Sequence, residues 1–264
     1  MTSGSGNDAA GCTPARTALV TGGGRRIGRA IAADLAAHGW AVAVQGRESI
    51  AEAEALARAI TDSGGRAVAV RGDAGDPAAA PSIVAAAEAA LGPLGLLVNN
   101  AAMFDEDDFA TMDIAGFNRH LGVNLVAPLM LAQAFAARLP QDGRGLIVNM
   151  IDQRVWKPTP RHFTYSVAKA ALWSATRTMA QALAPQVRVI GIGPGPTLPS
   201  PRQDAAGFAR QVAALPLGHG PDLAEFGRAI RFFADSPSLT GQMIALDGGQ
   251  HLAWETPDVV GIEE

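Results

Sequence analysis

The residues best suited to chemistry in this chain are a tyrosine and a lysine on one predicted helix. Tyr165 and Lys169 are four positions apart, so on a helix both side chains project from one face, about one turn from each other. An ammonium group held there would stabilise a phenolate and make the tyrosine a better acid or base near neutral pH. In isolation this pattern is more often an ordinary amphipathic helix start. The surrounding sequence has to decide between the two interpretations.

The pair closes the segment 152–169, which follows an apolar run and leads into a helix, and the same alternation extends along the chain. The predicted strands are 17–20, 41–44, 67–70, 94–98, 145–151, 187–192 and 243–246. The predicted helices are 27–38, 50–63, 77–91, 114–139, 165–184, 202–214 and 223–234. This order predicts an α/β fold, a single-domain, doubly wound Rossmann parallel sheet of about seven strands with helices on both faces. Ligands of such sheets bind at the carboxyl ends of the strands.

Composition limits the domain organisation and the partners. The 264 residues are 48% hydrophobic, which suffices for one full core. We expect a flexible leader over 1–15, one domain over 16–254 and a C-terminal tail over 255–264. The net charge of -4 and the sequence pI near 5.7 argue against a nucleic-acid partner.

Metal and membrane sites also lack support in the sequence. Cys12 is the only cysteine, so an internal disulfide is excluded and a cytoplasmic location is expected. The five histidines show no ligand spacing, and no metal site is predicted. No apolar stretch is expected to reach the roughly 18 residues that a membrane-spanning helix needs, and no signal peptide is recognised.

A glycine-rich turn after the first strand predicts a dinucleotide site. Residues 21–28, T-G-G-G-R-R-I-G, lie between a strand and a helix, where glycines allow close approach of a pyrophosphate and the helix N-terminus offers free N–H groups. Gly22 is the first of these glycines. A glycine cluster alone is weak evidence, and its position at the start of a βαβ unit makes it specific.

The residues after the second strand favour NADPH over NADH. A carboxylate there would bind the ribose hydroxyls of NAD, but Gln45 and Gly46 are followed by Arg47, with no acid before Glu48. Arg47 can pair with a 2'-phosphate, and Arg25 is a second candidate. The alternative for Arg47 is a solvated loop charge.

With these residues in place, the chain resembles the short-chain dehydrogenase/reductase family over about residues 16–252. The matching motifs are the glycine turn, Asp73, Asn99-Asn100-Ala101, Asn124, Tyr165-x-x-x-Lys169 and Gly193-Pro194-Gly195. The resemblance implies that Tyr165 donates a proton, that Lys169 holds the nicotinamide ribose and lowers the tyrosine pKa, and that Asn124 anchors a relay water. It also implies that Asp73 and Ala74 contact adenine and that Asn99 lines the cofactor groove. The full predicted set of cofactor-binding residues is Gly22, Arg25, Arg26, Ile27, Arg47, Asp73, Ala74, Asn99, Ala101, Tyr165, Lys169, Pro194 and Gly195.

Two departures from the common family pattern resemble its pteridine reductase branch, together with the similar bacterial dihydromonapterin and dihydrofolate reductases. Arg26 stands where a third glycine is usual, and Asp152 stands where a serine is usual. Phe104 follows the Asn-Asn-Ala motif, as in that branch, where a phenylalanine stacks the pterin. The serine that commonly follows Asn-Asn-Ala there is replaced by Ala102, so that polar contact is in doubt. The predicted substrate-binding residues are Arg26, Phe104, Asp152 and Tyr165.

The chemistry of an aspartate agrees with this resemblance. An ionised carboxylate only accepts hydrogen bonds and would repel a ketone oxygen, whereas a pterin ring carries N–H groups. A relay of Asp152 and Tyr165 suits protonation of a ring nitrogen as hydride reaches carbon. The alternative roles, without a part in substrate binding, are core packing for Phe104, a contact with cofactor phosphate alone for Arg26 and a turn cap for Asp152. We predict an NADPH-dependent pteridine reductase, by resemblance a homotetramer, with a ketone reductase or a non-catalytic NADP-binding protein as alternatives.

Overall fold

The computed structural model describes residues 14–200, 202–256 and 260. Most of the predicted leader and tail, namely 1–13, 257–259 and 261–264, lies outside the described residues. Within them the chain forms one sheet of seven parallel strands with helices on both faces. The predicted doubly wound fold is therefore confirmed.

The elements follow the predicted order. The strands are β1 (Thr17–Val20), β2 (Ala41–Gly46), β3 (Arg66–Arg71), β4 (Leu96–Asn99), β5 (Gly145–Met150), β6 (Val187–Pro194) and β7 (Met243–Leu246). The α-helices are α1 (Arg26–Ala37), α2 (Ile50–Asp62), α3 (Ala80–Leu91), α4 (Ile114–Leu121), α5 (Ala127–Ala137), α6 (Phe163–Ala182), α7 (Ala205–Ala213) and α8 (Leu223–Ala234).

The strand order β3-β2-β1-β4-β5-β6-β7 places a crevice between β1 and β4. From β1 the chain winds outward to β2 and β3, then crosses back to β4 on the other side. Val20 is opposite both Val44 and Val98 in the register, so the turns after β1, β2 and β4 meet at one edge. A crevice of this kind is where open α/β sheets bind ligands.

Two apolar layers cover the sheet because its central strands are apolar on both faces. Ala18 and Val20 point toward α1, α2 and α8, where Phe233 is fully buried. Leu19 points the other way, toward α3 and α5, where Phe135 is buried. Burying each large side chain of this kind contributes roughly 1.5 to 3 kcal/mol. The strands are thereby fixed, and their carboxyl ends form a rigid platform.

The predicted helix 114–139 is one helical segment with a change of pitch. A π-helical stretch, Gly122–Val126, separates α4 from α5. The whole segment Ile114–Ala137 has a mean hydropathy of 1.4 in its most apolar window. The prediction that no stretch is long and apolar enough to span a membrane is thus wrong for this segment. Core helices of globular proteins pass the same test, and α5 packs against α3 and β4 here.

Three helix starts differ from the sequence prediction by two residues or more. Residues Pro77–Ala79 form a separate 3-10 turn before α3. Helix α6 begins at Phe163, two residues earlier than predicted, with His162 in a left-handed conformation as its N-cap. Helix α7 begins only at Ala205, because the side chain of Asp204 accepts a hydrogen bond from the backbone N–H of Gly207.

Candidate active site

The glycine-rich turn is closed by side chains from the two neighbouring strands. The backbone N–H of Gly22 donates to Oε1 of Gln45 at 2.9 Å, and Gln45 in turn donates to the carbonyl of Gly72. Asn100 donates to the carbonyls of Thr21 and Gly22. The end of β4 and the end of β2 therefore hold the turn after β1 from both sides.

Two glycines of this turn are required by close backbone approach. Gly22 has a φ of +59°, in the region that favours glycine. A Cβ on Gly28 would lie 2.4 Å from the carbonyl oxygen of Gly22, which forbids any larger residue. The turn thus brings free backbone N–H groups to the N-terminus of α1, and Ile27 lies in the first turn of this helix. This cradle fits the pyrophosphate of a dinucleotide.

Arg47 lies at the end of β2 in a small cluster of charges. Its Nη1 is 2.6 Å from Oδ2 of Asp73, and its Nη2 forms an ion pair with Glu48. Asp73 also accepts from the N–H of Gly75. Partial burial raises the pKa of Asp73, but these hydrogen bonds, led by that of Arg47, outweigh burial and hold the pKa below its usual range. Arg47 is 58% exposed, so its guanidinium is available to an anionic ligand.

The predicted acid and its partner are in direct contact. The hydroxyl of Tyr165 donates to Oδ2 of Asp152 at 2.9 Å, while Oδ1 of Asp152 accepts from the N–H of Arg154. Asp152 follows β5 and Tyr165 lies in the first turn of α6, so the contact closes the loop between them. Tyr165 is 7% exposed. The alternative role of Asp152, a turn cap, is also present. One carboxylate oxygen accepts from Tyr165 and the other caps the turn through the N–H of Arg154.

Lys169 lies one turn further along α6 and is fully enclosed. Its Nζ donates to the carbonyl of Met150 at 2.8 Å and is 5.8 Å from the centre of the Tyr165 ring. Burial lowers the pKa of Lys169 to about 8. The ammonium therefore exchanges its proton much nearer neutral pH than an exposed lysine does.

The pKa values of the acid pair are both raised. Burial is the main cause for Asp152. Burial also raises the pKa of Tyr165 well above its ordinary value, and the charge of Asp152 adds to this. The expectation that Lys169 lowers the tyrosine pKa is not met here, because burial and the carboxylate of Asp152 raise this pKa and the charge that opposes the rise is that of Arg154.

Phe104 provides a flat face beside the tyrosine. Its ring centre is 4.7 Å from that of Tyr165 in an edge-to-face arrangement and 4.1 Å from that of His162, with which it stacks. The guanidinium of Arg154 lies 5.2 Å from the same ring centre. Phe104 is half-buried, so the alternative of ordinary core packing does not describe it.

The two predicted asparagines lie deeper than the sequence suggests. Asn124, fully buried in the π-helical stretch, accepts from the N–H of Met103 and donates to its carbonyl, thereby fixing the loop that leads to Phe104. Asn99 donates to Asn149 inside the sheet and is 3% exposed. The side chain of Asn99 faces the interior rather than the groove, and Asn100 is the residue that bonds the glycine turn.

Arg26 connects the glycine turn to the loop after β6. Its backbone has a φ of +51°, and its guanidinium donates to the carbonyls of Leu198 and Pro199 at 3.2 and 3.0 Å. Pro194 ends β6, and Gly195 approaches Asp247 so closely that a Cβ would lie 2.6 Å from its Cα. The remaining predicted cofactor residues, Arg25, Ala74 and Ala101, border the same crevice in the turns after β1, β3 and β4.

Three site residues escaped the sequence analysis. Arg154 and His162 lie beside Phe104, and Arg202 donates a hydrogen bond to the carbonyl of Phe104 across the crevice. Only Arg154 carried a local signal, its position two residues after Asp152. In the described part of the chain no group of three or more His, Cys, Asp or Glu side chains is placed to hold a metal ion.

Comparison with known proteins agrees with this geometry. The sequence profile of the short chain dehydrogenase family matches residues 16–207. An uncharacterized oxidoreductase of Methylorubrum extorquens is 32% identical over 89% of this chain and 97% of its own length. A 3-oxoacyl-[acyl-carrier-protein] reductase of Synechocystis is 29% identical over 89% of this chain and 96% of its own length.

A solved structure is more similar still. FolM alternative dihydrofolate reductase 1 from Brucella canis, crystallised with NADP, is 54% identical and superposes with a TM-score of 0.90. The match covers 92% of this chain and 96% of that protein. The cofactor of that structure is the one that Arg47 and the glycine cradle indicate here.

Proposed function

Because this chain belongs to the short-chain dehydrogenase family and is an NADPH-dependent oxidoreductase of the pteridine and dihydrofolate reductase branch, we propose that its substrate is a pteridine of the dihydropterin or dihydrofolate type. Tyr165 is the proton donor of the reaction. The contact that carries this proposal is the hydrogen bond of 2.9 Å between Tyr165 and Asp152. Support also comes from the 54% identical FolM neighbour.

The roles of the residues follow from their positions. NADPH, when bound in the crevice, would supply the hydride for a ring carbon. Arg47 and Arg25 hold the 2'-phosphate, and Asp73 and Ala74 border the adenine. Lys169 supports the nicotinamide ribose at the crevice.

The proton follows a separate route, from protein to ring nitrogen. Tyr165 passes its proton to the substrate, and the carboxylate of Asp152, which accepts from the tyrosine hydroxyl, relays a proton from solvent to restore it. Asn124 holds the loop of Phe104 in place, so that the flat heterocycle stacks beside the tyrosine. Arg26 closes the opposite side through the loop at Leu198.

Asp152 also explains why a ketone is the poorer candidate. In its ionised form a carboxylate only accepts hydrogen bonds and repels the lone pairs of a ketone oxygen, whereas it attracts a ring N–H. Reduction of a ketone nevertheless remains the second candidate, because the relative from Synechocystis is a 3-oxoacyl reductase. A catalytically silent binding protein is not retained, since the chain is an oxidoreductase.

Assembly and location belong to the same proposal. The family resemblance supports a homotetramer in the cytoplasm, and large apolar side chains on the surface, including Phe109 and Ile114, supply area for subunit contacts. Light scattering after size-exclusion chromatography measures the mass of the particle. A monomer at micromolar concentration would contradict this part.

A panel of substrates tests the function directly. NADPH oxidation is followed spectrophotometrically with dihydrobiopterin, dihydrofolate and several ketones at equal concentrations. We expect kcat/KM for at least one pteridine to exceed that for every ketone. Turnover of ketones alone would leave the family assignment intact and remove the pteridine.

A further inference from the structure

Arg154 carries a buried donor that no group in the described part of the chain satisfies. Its Nη1 is closed off from solvent and has no hydrogen-bond partner among the described residues. A buried charged donor without a partner is costly, because it has lost water and gained nothing in exchange. The position of this donor within the site suggests a partner that arrives with the substrate.

The surroundings of the guanidinium are those of a ring-binding site. It lies 5.2 Å from the centre of the Phe104 ring, the surface on which the proposed function stacks a heterocycle. The backbone N–H of the same residue donates to Oδ1 of Asp152 at 2.9 Å. The Phe104 ring also lies 4.7 Å from that of Tyr165, whose hydroxyl donates to Asp152. The arginine donor and the carboxylate acceptor therefore border the same aromatic ring.

Charge and exposure agree with a role in binding. Burial raises the pKa values of Asp152 and Tyr165, while the positive charge of Arg154 opposes that rise in both. Arg154 and Phe104 are both half-buried, so part of their shared surface is open to a ligand in the crevice.

We propose that Arg154 is a substrate-specificity residue that donates to the carbonyl oxygen of the ring lactam, while Asp152 accepts from a ring N–H. The inference rests on the proposed pteridine substrate and adds which edge of the ring is recognised. A lactam presents one donor and one acceptor in adjacent positions, and this pair of side chains is its complement. A ring with an amino group in place of the carbonyl would place the N–H donors of that group against the N–H donors of Arg154.

The test compares a 2-amino-4-oxopteridine with the corresponding 2,4-diaminopteridine as inhibitors. The unmodified protein should bind the oxo compound more tightly. In Arg154→Met the inhibition constant of the oxo compound should rise about 10- to 100-fold, and that of the diamino compound should stay or fall. The KM for dihydropterin should rise more than kcat falls.

Matched variants separate recognition from folding. Arg161→Met removes an exposed arginine of the same loop and should behave as the unmodified protein. Arg154→Lys keeps the charge without the planar fork and should restore part of the affinity. Retained NADPH binding, measured by fluorescence, shows that each variant is folded.

The possible results distinguish the role of Arg154 from the proposed pteridine reduction. An unchanged ratio of the two inhibition constants in Arg154→Met overturns the role of Arg154 but leaves pteridine reduction standing. If Arg154→Met does not fold, the unmodified protein still gives a test. Equal affinity for the two compounds would overturn the role of Arg154. If no pteridine is reduced by the unmodified protein, the proposed function and this inference fall together.

Discussion

Asp152 accepts the hydroxyl hydrogen of Tyr165 across the loop between β5 and α6, at 2.9 Å. One oxygen of the same carboxylate caps the turn that follows it, through the N–H of Arg154. The turn therefore sets the position of the carboxylate, and the carboxylate sets the position of the phenol. This arrangement places two acids with raised pKa values next to one another.

Removal of the phenol hydroxyl tests the proton route. Tyr165→Phe should bind NADPH normally and lose a factor of roughly 100 to 10,000 in the rate of pteridine reduction, the usual contribution of a positioned general acid. Steady-state kinetics and NADPH titration give the two numbers. Near-normal turnover would show that the proton comes from another group.

Replacement of Asp152 distinguishes the two substrate classes. Asp152→Ser should lower kcat/KM for a dihydropterin because the ring N–H loses its acceptor and the relay loses its acid. For a ketone the new hydroxyl can donate to the carbonyl, so activity should hold or rise. The ratio of the two kcat/KM values reports the difference in transition-state stabilisation. An unchanged rate with dihydropterin would count against the pteridine assignment.

Arg47 should control the choice of cofactor. Arg47→Asp sets a negative charge against the 2'-phosphate and should reduce the preference for NADPH over NADH by about 10- to 100-fold, the value of a charge-assisted hydrogen bond. The measurement is kcat/KM for each cofactor at fixed ionic strength. Equal values for both cofactors in the unmodified protein would contradict the role of Arg47.

Replacement of Glu48 is a control in which the preference for NADPH over NADH should change in the opposite direction. It shares the guanidinium of Arg47 with Asp73, and its side chain is 76% exposed. Glu48→Gln frees Arg47 for the phosphate, so the preference for NADPH should increase modestly, by no more than about fivefold for an exposed ion pair. A decrease would show that Glu48 itself helps to bind the cofactor.

The pKa of Tyr165, the proposed acid, can be measured from the ultraviolet absorbance of the unlabelled protein. Tyr165 is the only tyrosine in the chain, so the near-ultraviolet absorbance of phenolate reports this residue alone. Since burial and the charge of Asp152 raise its pKa well above the ordinary value, little phenolate should form at pH 10. In Asp152→Asn the charge is absent, so phenolate should appear at lower pH. Tyr165→Phe gives the baseline, and a normal titration in the unmodified protein would contradict the predicted shift.

Local sequence patterns predicted the elements well where both ends carried signals. β1 and β7 have their predicted bounds, and α8 begins at Leu223, where Asp222 and Glu225 form a capping box. The π-helical stretch at Asn124 has no local signature, although Gly122 and Pro128 indicate a change at that point. Its hydrogen bonds to Met103 depend on contacts between distant segments.

The site was predictable only in part for the same reason. Tyr165, Lys169 and Asp152 were recognisable by type and spacing, whereas the stacking of His162 on Phe104 joins residues far apart in sequence. The direction of the pKa shift of Tyr165 was missed because burial cannot be read from the motif. The interior position of Asn99 follows from the pairing of β4 with β5, which orients its side chain toward Asn149.

The contact of Arg26 with the carbonyls of Leu198 and Pro199 has a kinetic consequence. One side chain belongs to the phosphate turn and also holds the loop that borders the substrate pocket. If the phosphate of a bound cofactor draws the guanidinium toward the turn, the loop loses these two hydrogen bonds, and we expect cofactor binding to precede substrate binding. The two ligands should then add in a fixed order, NADPH first. NADP would compete with NADPH but act noncompetitively against the second substrate.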